Sequence, residues 1–330
     1  MTKIAEIINS LSSDLKAVDK NILEFAVGKS PLIAEISNHL ISSGGKRIRP
    51  ILLILADRLC GSTTNKSQIN LAAAVELIHS ATLLHDDVVD KSEVRRGKKT
   101  ANAIWDNKAT ILVGDYLFSI AFQLMVRSQN LMVLDLLAKA SSIMADGEVM
   151  QLENSTDINL TSAKYLEIIF GKTAVLFSAA CESAALINKV DDNKIVALRE
   201  FGKNLGLIFQ IVDDMLDYSS KEKVLGKDVG NDFFEGKVTL PIILAYQSAS
   251  DTDKKMIADL LSKNLIGDEK SQNDLQQILA LIKKYHGLEE CKKMALEFRE
   301  KARGNLAIFD DSLAKENLFE ILDYSLERIF

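Results

Sequence analysis

Proline is nearly absent from this chain, and its absence constrains the fold more than any other feature of the sequence. The 330 residues include three prolines, Pro31, Pro50 and Pro241, and the 190 residues between the last two contain none. Because proline removes a backbone donor and clashes with the preceding turn, a stretch without it permits long helices. Apolar residues also recur at intervals of three and four, as over residues 131–138 and 195–205. This spacing predicts helices throughout and no strands.

The composition narrows the class of protein further. An apolar content of 47% is enough for a sizeable core and excludes disorder as the main state. Since neither an internal repeat nor a low-complexity segment is present, we predict a single large all-α domain over residues 1–330. The formal charge of −6 leaves no general basic surface, so nucleic acid is not expected as a partner.

The cysteines and the N-terminal residues predict a cytoplasmic protein. Cys60, Cys181 and Cys291 are far apart and odd in number, which is typical of thiols in a reducing compartment. Residues 1–20 mix acidic residues with lysines and lack the apolar segment of a signal peptide. No uninterrupted apolar run approaches the roughly 18 residues of a membrane span.

One predicted helix, over residues 71–90, is apolar around its circumference apart from a few residues. Those residues are Glu76, His79, Asp86, Asp87 and Asp90. At about 100° per residue they share a sector of roughly 100°, so they form a polar stripe on a buried helix. Because unpaired carboxylates are costly to bury, the stripe must face a polar group. His79 alone would be typical of a core histidine, but its place on the stripe favours a role in binding.

An acidic pentapeptide occurs twice. DDVVD at residues 86–90 recurs as DDMLD at residues 213–217, again in an apolar helical run, with Gln210 in the same sector. One such pentapeptide is commonly a solvated surface or a helix start, whereas two of the same spacing on buried helices favour a metal site. Ligand sets made only of oxygen select a hard cation, and Mg²⁺ completes its shell with water and phosphate oxygens.

Basic residues accompany glycines at several places. They lie at residues 44–50 (GGKRIRP), 95–97 (RRG), 171–173 (GKT), 226–228 (GKD) and 236–237 (GK). Each alone is typical of a solvated basic surface. Together with the acidic pentapeptides they outline a site for two diphosphates, one carried by Mg²⁺ and one held mainly by Lys and Arg.

These motifs resemble a known family. The two pentapeptides, GGKRIRP at residues 44–50 and EGKVTLP at residues 235–241 are similar to signatures of the trans-isoprenyl diphosphate synthases, also called polyprenyl synthetases. Residues 78–82 and 95–98 are most similar to those of synthases that make octaprenyl diphosphate. The resemblance implies an all-helical homodimer, with ten or more helices around a central cavity and the two acidic motifs facing each other at its mouth.

The resemblance also assigns roles by position. Isopentenyl diphosphate would be held by Lys46, Arg49, His79 and Arg96. The allylic diphosphate would be held by Arg95, Lys172, Thr173, Gln210, Lys227 and Lys237. Up to three Mg²⁺ ions would have Asp86, Asp90 and Asp213 as principal ligands, with Asp87, Asp214 and Asp217 as further ligands or supporting groups. The expected catalytic residues are Asp86, Asp87, Asp90, Asp213, Asp214, Lys172 and Lys227.

The implied reaction is a Mg²⁺-dependent, head-to-tail condensation of isopentenyl diphosphate onto an allylic diphosphate such as farnesyl diphosphate. The expected product is octaprenyl diphosphate for a quinone side chain, with a peripheral membrane contact when the product is released. A geranylgeranyl or other shorter-chain synthase and a non-catalytic subunit of a heteromeric synthase remain alternatives. A class I terpene cyclase also has an aspartate-rich helix, but it needs no second diphosphate pocket.

Product length depends on the residues that precede the first acidic motif on its helix. Ala81, Thr82 and Ile78 lie within about two turns of Asp86, and none is aromatic. A growing prenyl tail can therefore pass this level, whereas a large ring would stop it in a densely packed core. The floor of the tunnel is expected among bulkier residues, for which the candidates are Phe118, Phe122 and Met125.

Replacing Ala81 by tyrosine tests this expectation. The Ala81→Tyr variant should keep its activity and release shorter products, because the new ring blocks the path of the tail. Chromatography of the dephosphorylated products measures their length, and an unchanged product would contradict the expectation.

Overall fold

The computed structural model describes residues 3–62, 66–219, 229–266 and 271–328. The helices of the first part are α1 (Lys3–Ser10), α2 (Ser12–Phe25), α3 (Pro31–Ser42), α4 (Ile48–Leu59), α5 (Lys66–Val89), α6 (Ala101–Ile104) and α7 (Asn107–Arg127). Next come α8 (Leu131–Asn154), α9 (Ser162–Ile169), a π turn (Phe170–Ala174), α10 (Val175–Asn188) and α11 (Asp192–Asp217). The last part contains α12 (Asn231–Phe234), α13 (Leu240–Ser248), α14 (Asp251–Ile266), α15 (Gln272–Lys284), α16 (Gly287–Asn305), a 3₁₀ turn (Leu306–Ile308) and α17 (Leu313–Glu327).

The all-α prediction is confirmed, although the expectation of no strands is wrong at one place. A short antiparallel hairpin pairs β1 (Val94–Arg95) with β2 (Lys98–Lys99). Its two-residue turn is Arg96–Gly97, and both residues have positive φ, 52° and 73°. Two successive positive φ angles suit the tight turns that join twisted strands. Two-residue strands carry too little alternation to be recognised in a sequence.

The chain forms two compact units. The first contains residues 1–141, 176–202 and 308–320, and the second contains residues 142–175, 203–307 and 321–330. In the first unit α5 packs against α2, α4 and α7, and α4 is buried over residues 50–57. In the second unit α13 packs against α9, α15 and α16. Each unit therefore has its own set of helix contacts.

Two helical stretches are long and apolar enough to span a membrane by length and composition. They are Asn107–Arg127 and Ser162–Asn188, and 44% and 89% of their most apolar windows are buried in the protein. The second stretch has the burial of a core helix. The first, α7, leaves apolar side chains on its surface, among them Leu112 at 67% and Val126 at 59% exposure. Leu112 and Val126 lie on the same exposed face of α7 as Asp115, Ser119 and Gln123, so that face mixes apolar and polar side chains.

A buried carboxylate near the end of α4 connects two helices of the first unit. Asp57 is fully buried, and its Oδ1 accepts a hydrogen bond of 2.6 Å from Nδ2 of Asn188 on α10. Burial raises the pKa of Asp57, because an amide donor only partly replaces the water that a carboxylate loses. The charged form of Asp57 therefore opposes folding.

The Asp57→Asn variant should be more stable than the wild type at neutral pH. The raised pKa of Asp57 means that the native state binds its proton more tightly than the unfolded chain does. The contribution of Asp57 to the free energy of unfolding is therefore largest below the pKa that Asp57 has in the unfolded chain. This contribution falls as the pH rises through the pKa that Asp57 has in the folded protein.

Urea unfolding of both proteins at several pH values measures this effect. The stability gained by the variant should increase from pH 4 upward and then level off. A variant that is less stable than the wild type at pH 8, with the same dependence on pH, would contradict the assignment.

Candidate active site

The first unit contains a pocket with an excess of basic side chains. It lies where the end of α3, the start of α4, the middle of α5 and the hairpin meet. The pocket is lined in part by His39, Gly44, Arg47, Glu76, His79, Ser80, Leu83, Asp87, Arg95 and Arg96. Three of the residues assigned to the diphosphates, His79, Arg95 and Arg96, therefore lie together.

Arg47 connects the loop before α4 to two other helices. It has a left-handed backbone, φ 51° and ψ 36°, at the residue that precedes α4. Its Nη1 lies 2.9 Å from Oε1 of Glu76 on α5, and its Nε lies 3.0 Å from Oδ1 of Asp19 on α2. The Arg47 and Glu76 side chains are only 15% and 8% exposed. Sequence reasoning included Arg47 in a basic motif, and the structure gives it two carboxylate partners.

The hairpin contacts the same loop through backbone acceptors. Arg96 donates from Nη1 to the carbonyl oxygen of Gly44, and Lys98 donates from Nζ to the carbonyl oxygen of Ser42 at 3.0 Å. These bonds hold two basic segments, residues 44–50 and 95–98, next to each other. Lys46 is exposed on this loop. The two segments were expected to serve one site, and the structure brings them together.

Arg49 and His79 lie among these charges. The guanidinium of Arg49 lies over the ring of Phe177 on α10, 4.5 Å from its centroid, which is a favourable cation–π distance. Burial lowers the pKa of His79 well below its ordinary value, and Arg49, Arg96, Arg95 and Arg47 lower it further. His79 is therefore neutral at pH 7, with one ring N–H to donate.

The first acidic motif is divided between two faces of α5. Asp87 is buried, and its Oδ1 lies 2.8 Å from Nε of Arg95, yet burial raises the pKa of Asp87. Asp86 and Asp90 are half-buried, and they do not line this pocket. The angle around the helix does not account for this difference, since Asp86 lies only about 20° from His79, which does line the pocket.

The second unit contains a pocket that collects residues from both ends of its sequence. It is lined in part by Gln151, Tyr165, Lys172, Gln210, Asp214, Asp232, Lys237 and Thr239. Lys172, Gln210, Asp214 and Lys237 were all singled out in the sequence. Lys227 was singled out as well, but it lies outside the described residues.

Asp214 is held by hydrogen bonds to both of its oxygens. Tyr165 donates from its hydroxyl to Oδ2 at 2.6 Å, and Gln210 donates from Nε2 to Oδ1 at 2.8 Å. Burial raises the pKa of Asp214 to about 6 although both hydrogen bonds lower it. The neighbouring Asp232 also has its pKa raised, first by burial and then by the charges of Asp214 and Asp217. The described partners therefore do not fully offset the loss of water that these two carboxylates undergo on burial.

Lys172 and Thr173 lie in the π turn between α9 and α10. Nζ of Lys172 donates to Oε2 of Glu148 at 2.9 Å and to Oε1 of Gln151 at 2.6 Å. The hydroxyl of Thr173 donates to Oε1 of Gln210 at 2.7 Å. Thr173 therefore orients the amide that in turn donates to Asp214.

The other two aspartates of the second motif have different partners. Asp213 is half-buried, and its Oδ1 lies 2.7 Å from Nη1 of Arg328, which follows α17. Asp217 is buried and accepts the backbone N–H groups of Asn231 and Asp232 at 3.0 and 2.9 Å. Asp217 therefore holds the start of α12 close to the end of α11.

The acidic motifs were expected to bind Mg²⁺, and their exposure differs from residue to residue. Asp86, Asp90 and Asp213 are half-buried, whereas Asp87, Asp214 and Asp217 are buried. Among the described residues, no three or more His, Cys, Asp or Glu side chains form a group suited to a metal. Mg²⁺ commonly uses one or two carboxylates and completes its shell with water and phosphate. Asp86 and Asp90, one turn apart with oxygen donors, fit that requirement.

The residues expected to control product length lie inside the first unit. Ala81 and Ile78 are fully buried in α5, and Thr82 is half-buried with its hydroxyl bonded to the carbonyl oxygen of His79 at 2.8 Å. On α7, the rings of Phe118 and Phe122 meet edge to face, with centroids 5.2 Å apart. Because α5 packs against α7, these rings belong to the helix that neighbours Ala81.

Sequence reasoning missed several residues of the two pockets. Tyr165, Glu148 and Gln151 contact predicted residues directly, and Arg328 pairs with Asp213. Glu148 and Gln151 lie three residues apart, so a helix places them on one face. This spacing is the feature of the sequence that could have indicated a shared role. Tyr165 and Arg328 stand in ordinary amphipathic stretches, so nothing in the sequence distinguished them.

Comparisons with known proteins agree with these features. The family model described as Polyprenyl synthetase matches residues 30–282. The all-trans-nonaprenyl-diphosphate synthase (geranyl-diphosphate specific) of Rhodobacter capsulatus is 39% identical, and the octaprenyl diphosphate synthase of Escherichia coli is 37% identical, each over 98% of both chains. The structure of a polyprenyl synthase from Caulobacter crescentus, complexed with calcium and isoprenyl diphosphate, superposes with a TM-score of 0.91 at 41% identity over 98% of both chains.

Replacing Glu76 tests the ion pair under the basic pocket. The Glu76→Gln variant should lose ~3 kcal/mol of unfolding free energy, because removing one partner of a buried pair leaves the other charge uncompensated. The Asp135→Asn variant is the matched control, since Asp135 pairs at 2.6 Å with Lys139 and the two side chains are 63% and 70% exposed.

Urea unfolding of both variants measures the two losses. The control should lose about 1 kcal/mol or less, as for exposed pairs. Equal losses in the two variants would mean that burial of the Arg47–Glu76 pair has no special effect.

Proposed function

Because the chain belongs to the polyprenyl synthetase family, we propose that it extends farnesyl diphosphate with isopentenyl diphosphate to octaprenyl diphosphate, in a reaction that depends on Mg²⁺. The chain is a trans-prenyl diphosphate synthase of the long-chain type, a prenyltransferase. The observation that carries the finer proposal is the environment of Ala81 and Ile78. Both are fully buried on α5, and neither is aromatic.

The proposed product length has two sources of support. No aromatic ring stands on α5 at the level of Ala81, so a prenyl tail longer than farnesyl is not stopped there. The Escherichia coli relative, at 37% identity, is named an octaprenyl diphosphate synthase. The Rhodobacter capsulatus relative, at 39%, is named for a nonaprenyl product. Nonaprenyl diphosphate is therefore the second candidate, and a quinone side chain is the proposed destination of either product.

The proposed cofactor is Mg²⁺, held by Asp86, Asp90 and Asp213, with up to three ions bound. When bound, Mg²⁺ supplies positive charge that stabilises the departing pyrophosphate. The calcium in the Caulobacter crescentus structure supports a divalent cation. Asp87 and Asp214, which are buried and hydrogen-bonded, would orient their neighbours.

The basic side chains bind the two diphosphates in this proposal. Lys46, Arg49 and Arg96 hold isopentenyl diphosphate, and neutral His79 donates one N–H to it. The allylic diphosphate is held by Arg95, Lys172, Thr173, Gln210, Lys227 and Lys237. These donors stabilise the charge that develops as the allylic C–O bond breaks.

The apolar residues of α5 exclude water in this proposal. The allylic cation that forms must meet the double bond of isopentenyl diphosphate before it meets water. Leu84, which is buried on α5 and lines the basic pocket, keeps water away from the reacting carbons. Loss of a proton then gives an allylic diphosphate that is one isoprene unit longer.

We further propose a homodimer located in the cytoplasm. The exposed apolar side chains of α7 and α8, such as Leu112, Val126, Leu131 and Met132, would be covered by a second copy, and sedimentation equilibrium measures the resulting mass. The free thiols Cys60, Cys181 and Cys291 suit a reducing compartment. A peripheral membrane contact would receive the apolar product.

One incubation tests the reaction and its product. The protein, farnesyl diphosphate, labelled isopentenyl diphosphate and Mg²⁺ should give octaprenyl diphosphate, and chelation of the metal should stop the reaction. A shorter end product, such as geranylgeranyl diphosphate, would overturn the proposed chain length.

The Asp86→Ala variant tests the metal assignment in the same assay. Its turnover should fall at least about a hundredfold with the helical circular dichroism unchanged, since charge stabilisation of this kind is a large part of catalysis. Asp311→Ala is the matched control, because Asp311 is 98% exposed and pairs with Lys315 on the surface. Near-normal turnover of Asp86→Ala would contradict the assignment.

A further inference from the structure

The π turn at Phe170–Ala174 is an unusual feature of the second unit. It interrupts the regular helix immediately after α9. A π turn adds a residue to one helical turn and leaves poorer backbone hydrogen bonds, so it persists where the surroundings hold it. The turn contains Lys172 and Thr173, both of which make side-chain hydrogen bonds in the pocket.

Two glycines meet at this turn with their backbones in contact. A Cβ atom added to Gly147 on α8 would lie 2.5 Å from the backbone nitrogen of Lys172 and 2.7 Å from the carbonyl carbon of Gly171. A Cβ added to Gly171 would lie 3.0 Å from Cα of Gly147 and 3.1 Å from the carbonyl oxygen of Ile143. A side chain at Gly147 would force the backbone to shift, whereas one at Gly171 would need a displacement of a few tenths of an ångström.

The close crossing explains where the Lys172 side chain lies. With α8 against the backbone of the π turn, the side chain extends along α8 to Glu148 and Gln151, which lie one and four residues after Gly147. The Lys172 side chain is only 20% exposed. Its ammonium position is thus set by two acceptors on the same helix that supplies Gly147.

We propose that Gly147 is a positioning residue for Lys172. By lacking a Cβ, Gly147 allows α8 to approach the π turn, and that approach fixes Lys172 between the acceptors of α8 and the pocket. The inference rests on the proposed function, in which Lys172 binds the allylic diphosphate. It gives Gly147 a role in substrate binding although Gly147 has no side chain that could contact the substrate.

The Gly147→Ala variant tests this proposal. It should raise the KM for farnesyl diphosphate about tenfold, because a displacement of under 1 Å at a binding group has effects of this size. The KM for isopentenyl diphosphate should stay the same. The milder Gly171→Ala variant, with contacts of 3.0 and 3.1 Å, should raise the KM for farnesyl diphosphate less. It also provides a measurement if Gly147→Ala does not fold.

Gly202→Ala is the matched control for a tight helix crossing. A Cβ added to Gly202 on α11 would lie 2.5 Å from the carbonyl oxygen of Phe177 and 2.8 Å from Cα of Ser178, within the first unit. The clash is as severe as at Gly147, but no residue assigned to the allylic diphosphate belongs to this crossing. The control should lose stability in urea with an unchanged KM for farnesyl diphosphate, and an equal rise in KM in both variants would overturn the proposal.

A double-mutant cycle separates positioning from general damage. Lys172→Gln should raise the KM for farnesyl diphosphate, and adding Gly147→Ala to it should change that KM by less than about twofold, since residues that act through one group are not additive. If Gly147→Ala raises the KM of the Lys172→Gln variant by the same factor as it raises that of the wild type, the proposal is overturned, while the assigned role of Lys172 is not. An unchanged KM in Lys172→Gln itself would overturn the assigned role of Lys172 and the proposal with it.

Discussion

The cost of placing charged groups on buried helices shapes both units of this protein. Carboxylates and guanidinium groups lose water when they enter a helical core, and the loss is tolerated only with partners at hydrogen-bond distance. In the first unit Glu76 is paired with Arg47, and Asp87 with Arg95. In the second unit Asp214 receives bonds from Tyr165 and Gln210. The described contacts neutralise this charge incompletely, since the pKa values of Asp87 and Asp214 stay raised.

The two pockets differ in the balance of charge on their linings. Arginine and lysine outnumber the carboxylates in the first, whereas two lysines are matched by two aspartates in the second. Arginines outnumber carboxylates around His79, whose pKa they lower. In the second pocket the charges of Asp214 and Asp217 raise the pKa of Asp232, and Lys237 lowers it. An excess of positive charge, as in the first pocket, suits an anionic group such as a phosphate.

Much of the fold and part of the site could be predicted from the sequence. Scarcity of proline and the spacing of apolar residues gave the helices, and the polar stripe on α5 brought Glu76 and His79 to one pocket. The partners of these residues could not be predicted, because Tyr165 and Asp214 are 49 residues apart and no local pattern joins them. The π turn could not be predicted either, because it lies against the backbone of Gly147 on another helix, a contact that no local pattern indicates.

The contact between Arg328 and Asp213 has a practical consequence for handling the protein. An affinity tag fused after residue 330 would begin within two residues of the guanidinium that lies against the second acidic motif. Polyhistidine placed there would bring extra metal-binding groups within a few residues of the Arg328–Asp213 contact. Purified material intended for cation titrations is therefore better prepared without a polyhistidine tag at that end.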